Sequence, residues 1–152
     1  MTERCARRTN RYMRSPQLLL CLVIVACANE PVGRLCDLGT VARQGDIIVA
    51  IPSLDCITRT CLRIPLSQEL PPGSQFPTGN TGLCSAECDS DADCEGSPDS
   101  PCIGGFSCRI ATPVGPACCK KLCVCRDYGL VDQSAACAPG NTANTCANLS
   151  AR

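Results

Sequence analysis

Seventeen cysteines in 152 residues constrain this chain more than any other feature. At about 11% the content exceeds the roughly 8–10% that marks a disulfide scaffold. Large rings are scarce: Phe76, Phe106, Tyr12 and Tyr128, with no Trp. Each such ring buries about 150–250 Å² when it enters a core, so a chain nearly without them gains little from apolar burial and depends on covalent cross-links. The expected fold class is small and disulfide-rich, mostly β and irregular. It should contain short strands and hairpins, with little helix apart from a signal segment.

The first 26 residues set the compartment. Arg4, Arg7, Arg8, Arg11 and Arg14 stand against a single acidic residue, Glu3. Leu18 to Ala28 then form an 11-residue apolar run, well short of the roughly 20 residues a membrane-spanning helix needs. A basic segment, a short apolar run and small residues together have the shape of a signal peptide, expected over residues 1–26. The arginines therefore belong to targeting. Residues 27–152 retain nine basic and thirteen acidic residues, a balance that argues against nucleic acid as a partner.

The end of the apolar run, Ile24-Val25-Ala26-Cys27, resembles the lipobox of bacterial lipoproteins. The resemblance implies that Cys27 becomes the new N-terminus, with diacylglycerol on its thiol and an acyl chain such as palmitate on its amine. The membrane would then be a partner through the anchor. In that family Asp after the lipidated Cys often retains the protein in the inner membrane, and Ala28 here favours the outer membrane. Ala26-Cys27-Ala28 also fits ordinary secretory cleavage, which would give a soluble secreted protein beginning at Asn29.

Removing Cys5, Cys21 and Cys27 turns an odd cysteine total into fourteen: Cys36, Cys56, Cys61, Cys84, Cys88, Cys94, Cys102, Cys108, Cys118, Cys119, Cys123, Cys125, Cys137 and Cys146. An even number allows up to seven bridges for either cleavage site. Metal is the other use of clustered cysteine. Without any His in the chain, mixed Cys/His zinc sites are excluded, and thiols in an oxidising compartment pair instead. No metal site is expected, and no cofactor. The chain also has no Cys-x-x-Cys, no G-x-S-x-G and no P-loop, so no enzymatic activity is expected.

Four segments divide the mature part, residues 27–152. Residues 28–66 are β-like: Asp46 to Ile51 reads as a buried strand ended by Pro52, and Cys61 to Leu66 as its partner. Residues 67–83, with three Pro and three Gly, read as a loop. An odd number of mature cysteines lies on each side of it, so at least one bridge should cross it and tie the domain into one covalent unit. Residues 84–126 form a Cys-dense core, with a hairpin expected from Gly105–Ala111 and Ala117–Arg126. Strand alternation would put Cys119, Cys123 and Cys125 on one face and Cys118 on the other, so the vicinal pair should bond to different partners. Asp89-Ser90-Asp91-Ala92-Asp93 lacks the Gly and Glu of a calcium loop at the required positions and reads as an Asp-rich turn or helix cap. Residues 127–152 read as a weakly ordered tail closed by a local Cys137–Cys146 bridge.

Cys84-x3-Cys88-x5-Cys94, followed by Cys118-Cys119-x3-Cys123, resembles the whey acidic protein four-disulfide core, some of whose members inhibit serine proteases. The 23 residues before the Cys-Cys pair depart from that family's short gap. The overall layout combines the lipobox, the β-like segment, the Leu-Pro-Pro-Gly-Ser-Gln-Phe-Pro-Thr-Gly loop and the Cys-dense C-terminal half. It is similar to Cys-rich adventurous gliding motility lipoproteins. That likeness implies a non-enzymatic envelope protein with a structural or protein-interaction role in gliding motility or adhesion. The first likeness implies the alternative, a secreted serine-protease-inhibitor-like module.

Overall fold

The computed structural model describes residues 31–43, 45–129, 131–138 and Cys146. The lipobox, including Cys27, lies outside the described residues. Six short strands form two antiparallel sheets. In the first, β1 (Leu35–Asp37), β4 (Thr81–Ser85), β3 (Thr60–Arg63) and β2 (Ile48–Ala50) lie side by side in that order. In the second, β5 (Phe106–Ile110) pairs with β6 (Lys121–Cys125). The helical content of the described residues is two 3₁₀ turns, Asp91–Asp93 and Arg126–Tyr128. The small, disulfide-rich, mostly β fold class expected from composition is the one observed.

The expected pairing of the 46–51 and 61–66 segments is present, with Val49 opposite Leu62 and Ala50 opposite Cys61, but β2 is a half-buried edge strand of three residues and not a buried one, because it has a neighbour on one side alone. Residues 67–83 require a correction. The loop ends at Asn80, and Thr81 to Ser85 is an inner strand flanked by β1 and β3. Gly82 makes this stretch read as a loop, yet the strand needs a glycine there. A Cβ at position 82 would lie 2.8 Å from the Leu62 carbonyl oxygen and 3.1 Å from the Cys61 sulfur. Glycine in a strand interior marks such a close approach.

All fourteen cysteines from Cys36 onward are bridged: Cys36–Cys61, Cys56–Cys84, Cys88–Cys108, Cys94–Cys123, Cys102–Cys125, Cys118–Cys146 and Cys119–Cys137. The vicinal pair does bond to different partners, but two details differ from the sequence expectation. Cys118 and Cys119 lie in the turn before β6, and Cys119 has a φ of 55°. Strand alternation therefore does not reach them. The local Cys137–Cys146 bridge is replaced by two bridges that each return to this turn. Gln133 N–H donates to the Ile110 carbonyl at 2.9 Å, which brings the segment before Cys137 back against the hairpin.

A second correction concerns covalent unity. Cys56–Cys84 crosses the 67–80 loop, as parity requires. Yet among the described residues no bridge crosses residues 85–87. Two bridges close the chain between Cys36 and Cys84, and five close it between Cys88 and Cys146. The halves are joined instead by packing and hydrogen bonds. Ser85 Oγ donates to the Cys123 carbonyl at 2.8 Å, and Cys123 N–H donates to the Ala86 carbonyl at 3.0 Å. Val32, fully buried, donates to the Glu95 carbonyl and accepts from Ser97 N–H, so the N-terminal segment lies against the second half.

The main core surrounds Val32, Leu122 and Val124, with Leu62 and Leu83 from the first sheet and Phe106 and Tyr128 from the second half. A smaller cluster on the other face of the first sheet is largely sulfur: Cys36, Cys56, Cys61 and Cys84 with Leu38. The bridges span 18 to 29 residues, and in the chain-entropy treatment a loop of that size stabilises by about 3 kcal/mol. Replacing both Cys56 and Cys84 by Ser should therefore cost about 3 kcal/mol in guanidinium melts of the oxidised protein. The same protein, denatured without reductant, should show no reactive thiols among the other twelve bridged cysteines.

Candidate functional site

The Asp-rich turn between Cys88 and Cys94 forms a structural cap. Asp93 accepts from the backbone N–H of Ser90 at 2.8 Å, from that of Asp89 at 3.0 Å and from Ser90 Oγ at 3.1 Å. These backbone donors hold the Asp93 carboxyl below the usual carboxylate range. Asp91 accepts from Cys108 N–H at 2.8 Å, and this bond, helped by the Arg109 and Arg126 guanidinium groups, lowers its pKa as well. Both carboxylates are committed to the turn, β5 and Arg126.

Asp127 was not singled out by sequence. It belongs to the stretch expected to be tail, yet Asp127, Tyr128 and Val131 are buried. The Asp127 carboxylate accepts from Ile103 N–H at 2.8 Å, Gly104 N–H at 3.0 Å and Ser74 Oγ at 2.8 Å. Next to it, Tyr128 Oη donates to the Gln75 carbonyl at 2.7 Å, and its ring meets Phe76 edge-on at 5.0 Å. Burial, with the neighbouring Asp127 charge, pushes the Tyr128 hydroxyl well above its ordinary pKa. Asp127 and Tyr128 thus pin the 67–80 loop of the first half onto the second. No local sequence signal marks Asp127, because its partners, two backbone amides and the Ser74 hydroxyl, lie more than twenty residues away.

The sulfurs of Cys36, Cys56 and Cys84 come within 4.8 Å of one another, as do those of Cys88, Cys94 and Cys123. Each set draws on two adjacent disulfides, so the sulfurs are bonded to sulfur and carry no thiolate charge. Of the six cysteines that carry the whey-acidic-protein-like spacing, Cys94 and Cys123 bond to each other. Cys84, Cys88, Cys118 and Cys119 bond outside the set.

The surface with the most evident capacity to meet another body is the β2–β3 loop. Leu54 is 83% exposed and Ile57 67% exposed. The loop beneath them is fixed on all sides. Cys56 is bridged to Cys84, Ser53 N–H donates to the Arg59 carbonyl at 2.8 Å, and Thr58 Oγ1 donates to the Ser85 carbonyl. Asp55 accepts from Asp37 N–H at 2.8 Å, which ties the loop to β1. The two aliphatic side chains are therefore held out in solvent on a rigid mount.

Replacing Asp127 by Ala removes the acceptor for two backbone donors and one hydroxyl at a buried position. The expected cost is roughly 2–4 kcal/mol. Hydrogen exchange at Ile103, Gly104 and Gln75 should accelerate together, while amides of the sulfur-rich cluster keep their protection.

No family model matches this chain, and neither a curated protein nor a solved structure matches it.

Proposed function

We propose that the protein is a non-enzymatic, lipid-anchored envelope protein of the bacterial outer membrane with a structural or protein-interaction role, of the kind used in gliding motility or adhesion. The observation that carries this reading is Ile24-Val25-Ala26-Cys27, placed at the end of an apolar run that follows five arginines. Two structural features support it. The fourteen cysteines after Cys27 are all bridged, as suits an oxidising compartment outside the cytoplasm. The described surface also offers a rigid apolar loop suited to contact. Two or more acyl chains hold a protein stably at a membrane, whereas one binds reversibly. Among the described residues no helix is long and apolar enough to cross a membrane.

The alternative is a secreted serine-protease-inhibitor-like module. It is favoured by the same pinned loop, since a rigid exposed segment loses little freedom on entering a protease cleft.

Mass spectrometry of the N-terminal peptide from the membrane fraction should show acyl chains on Cys27, and Cys27→Ser should abolish them. A soluble, unmodified protein beginning at Asn29 would overturn the anchor. Titration of a serine-protease panel with the oxidised protein should give no inhibition at micromolar levels. Tight inhibition would favour the alternative.

A further inference from the structure

We propose that the pinned β2–β3 loop is a membrane-contacting surface, with Leu54 and Ile57 entering the interfacial layer of the bilayer that holds acylated Cys27. This deepens the lipid-anchor reading and rests on it.

The geometry begins at the N-terminal segment. Val32 is fully buried, Gly33 N–H donates to the Cys84 carbonyl at 2.8 Å, and Cys84 N–H donates to the Arg34 carbonyl at 2.7 Å. The chain is thus fixed to the body from residue 32 onward. Pro31 and Arg34 line a hollow of about 60 Å³ together with Ile57, Asp55 and Thr58 of the loop. The point where the chain leaves the body and the loop that carries the exposed aliphatics therefore share one face.

The tether is short. From Cys27 to Pro31 there are four residue steps, at most about 14 Å when fully extended. An acylated Cys27 sits at the level of the headgroups, in a layer roughly 5–8 Å thick on each side of the hydrocarbon. The face around Pro31 is consequently held no more than about 14 Å from the anchor point, which keeps it near the lipid surface.

The chemistry of the face fits a bilayer interface. Leu54 and Ile57 are aliphatic and exposed, on a loop whose backbone is anchored between them by the Cys56 bridge to β4. Arg34 and Arg59 are exposed beside them, with guanidinium groups suited to phosphate oxygens. Asp55 lines the same hollow, and its carboxylate is bonded to the Asp37 N–H. Aliphatic side chains next to basic ones are the pattern by which proteins lie on membranes, reaching about 5–10 Å into the boundary.

The chain contains no Trp, so Ile57→Trp introduces a single tryptophan at the exposed position that lines the hollow beside Pro31. The acylated full-length protein, verified by mass, is reconstituted into phosphatidylcholine–phosphatidylglycerol vesicles with and without brominated acyl chains. The Ile57→Trp protein should shift its emission to the blue on reconstitution and lose most of it to the bromines. Val114→Trp, in the turn of the β5–β6 hairpin, should keep its emission. Acylated protein in which both tryptophans behave alike, water-exposed and unquenched, would overturn the proposal while leaving the anchor intact. Protein that carries no acyl chain would fail earlier, in the mass spectrum, and would remove the anchor reading together with this one.

Discussion

Everything in this structure depends on a seam that no disulfide among the described residues crosses. Seven bridges close the chain into two covalent knots, one ending at Cys84 and the other beginning at Cys88. Between them run Ser85, Ala86 and Glu87, and the two bodies are held together by ordinary noncovalent forces. Backbone and hydroxyl hydrogen bonds join this segment to β6, Val32 inserts against residues 95–97, and Asp127 and Tyr128 grip the 67–80 loop. The bridges act within each half by restricting the unfolded chain. The seam decides whether the halves share one core, and the main hydrophobic cluster takes residues from both.

This division explains why a chain with so few rings places three of them where it does. Phe76 from the first half and Tyr128 from the second meet at the seam, and Arg63 stacks over Phe76 at 5.0 Å. Phe106 packs against the two glycines that flank the N-terminal insertion; a Cβ at Gly96 would crowd its ring at 3.2 Å, and one at Gly33 would clash with it at 2.5 Å. Where sulfur supplies the cross-linking, as around Cys36, Cys56, Cys61 and Cys84, no ring is present. The main core mixes the two, with Phe106 and Tyr128 beside the bridged Cys94, Cys102, Cys108, Cys123 and Cys125.

Much of this was legible in the sequence, because cysteine number, turn residues and strand periodicity are local signals. The fold class, the β2–β3 pairing, the β5–β6 hairpin, the capping role of the Asp-rich turn and the crossing of the 67–80 loop by a bridge all follow from them. Three features resisted for identifiable reasons. Gly82 disguised an inner strand as loop, since its need for close approach appears only when Leu62 and Cys61 are in place. Asp127 looked like the start of a tail because its donors are distant in the chain. Parity could require a bridge across one loop but could not reveal that, among the described residues, none spans residues 85–87. The pinned loop was legible as a loop between Cys56 and Cys61, and its rigid exposure was not, since that rests on contacts to β1 and β4.

The arrangement of knots has a mechanical consequence. Tension applied at the N-terminal end reaches the Cys36–Cys61 bridge after the few residues from Pro31. From there the shortest covalent route steps back from Cys61 to Cys56, crosses to Cys84 and runs on to Cys88. That route contains nine residue steps and two bridge crossings of 6.0 and 5.4 Å, about 40 Å when taut, where the unbridged backbone from Cys36 to Cys88 would extend to about 180 Å. Under load the first half therefore behaves as a short inextensible link, and yielding is confined to the seam at residues 85–87.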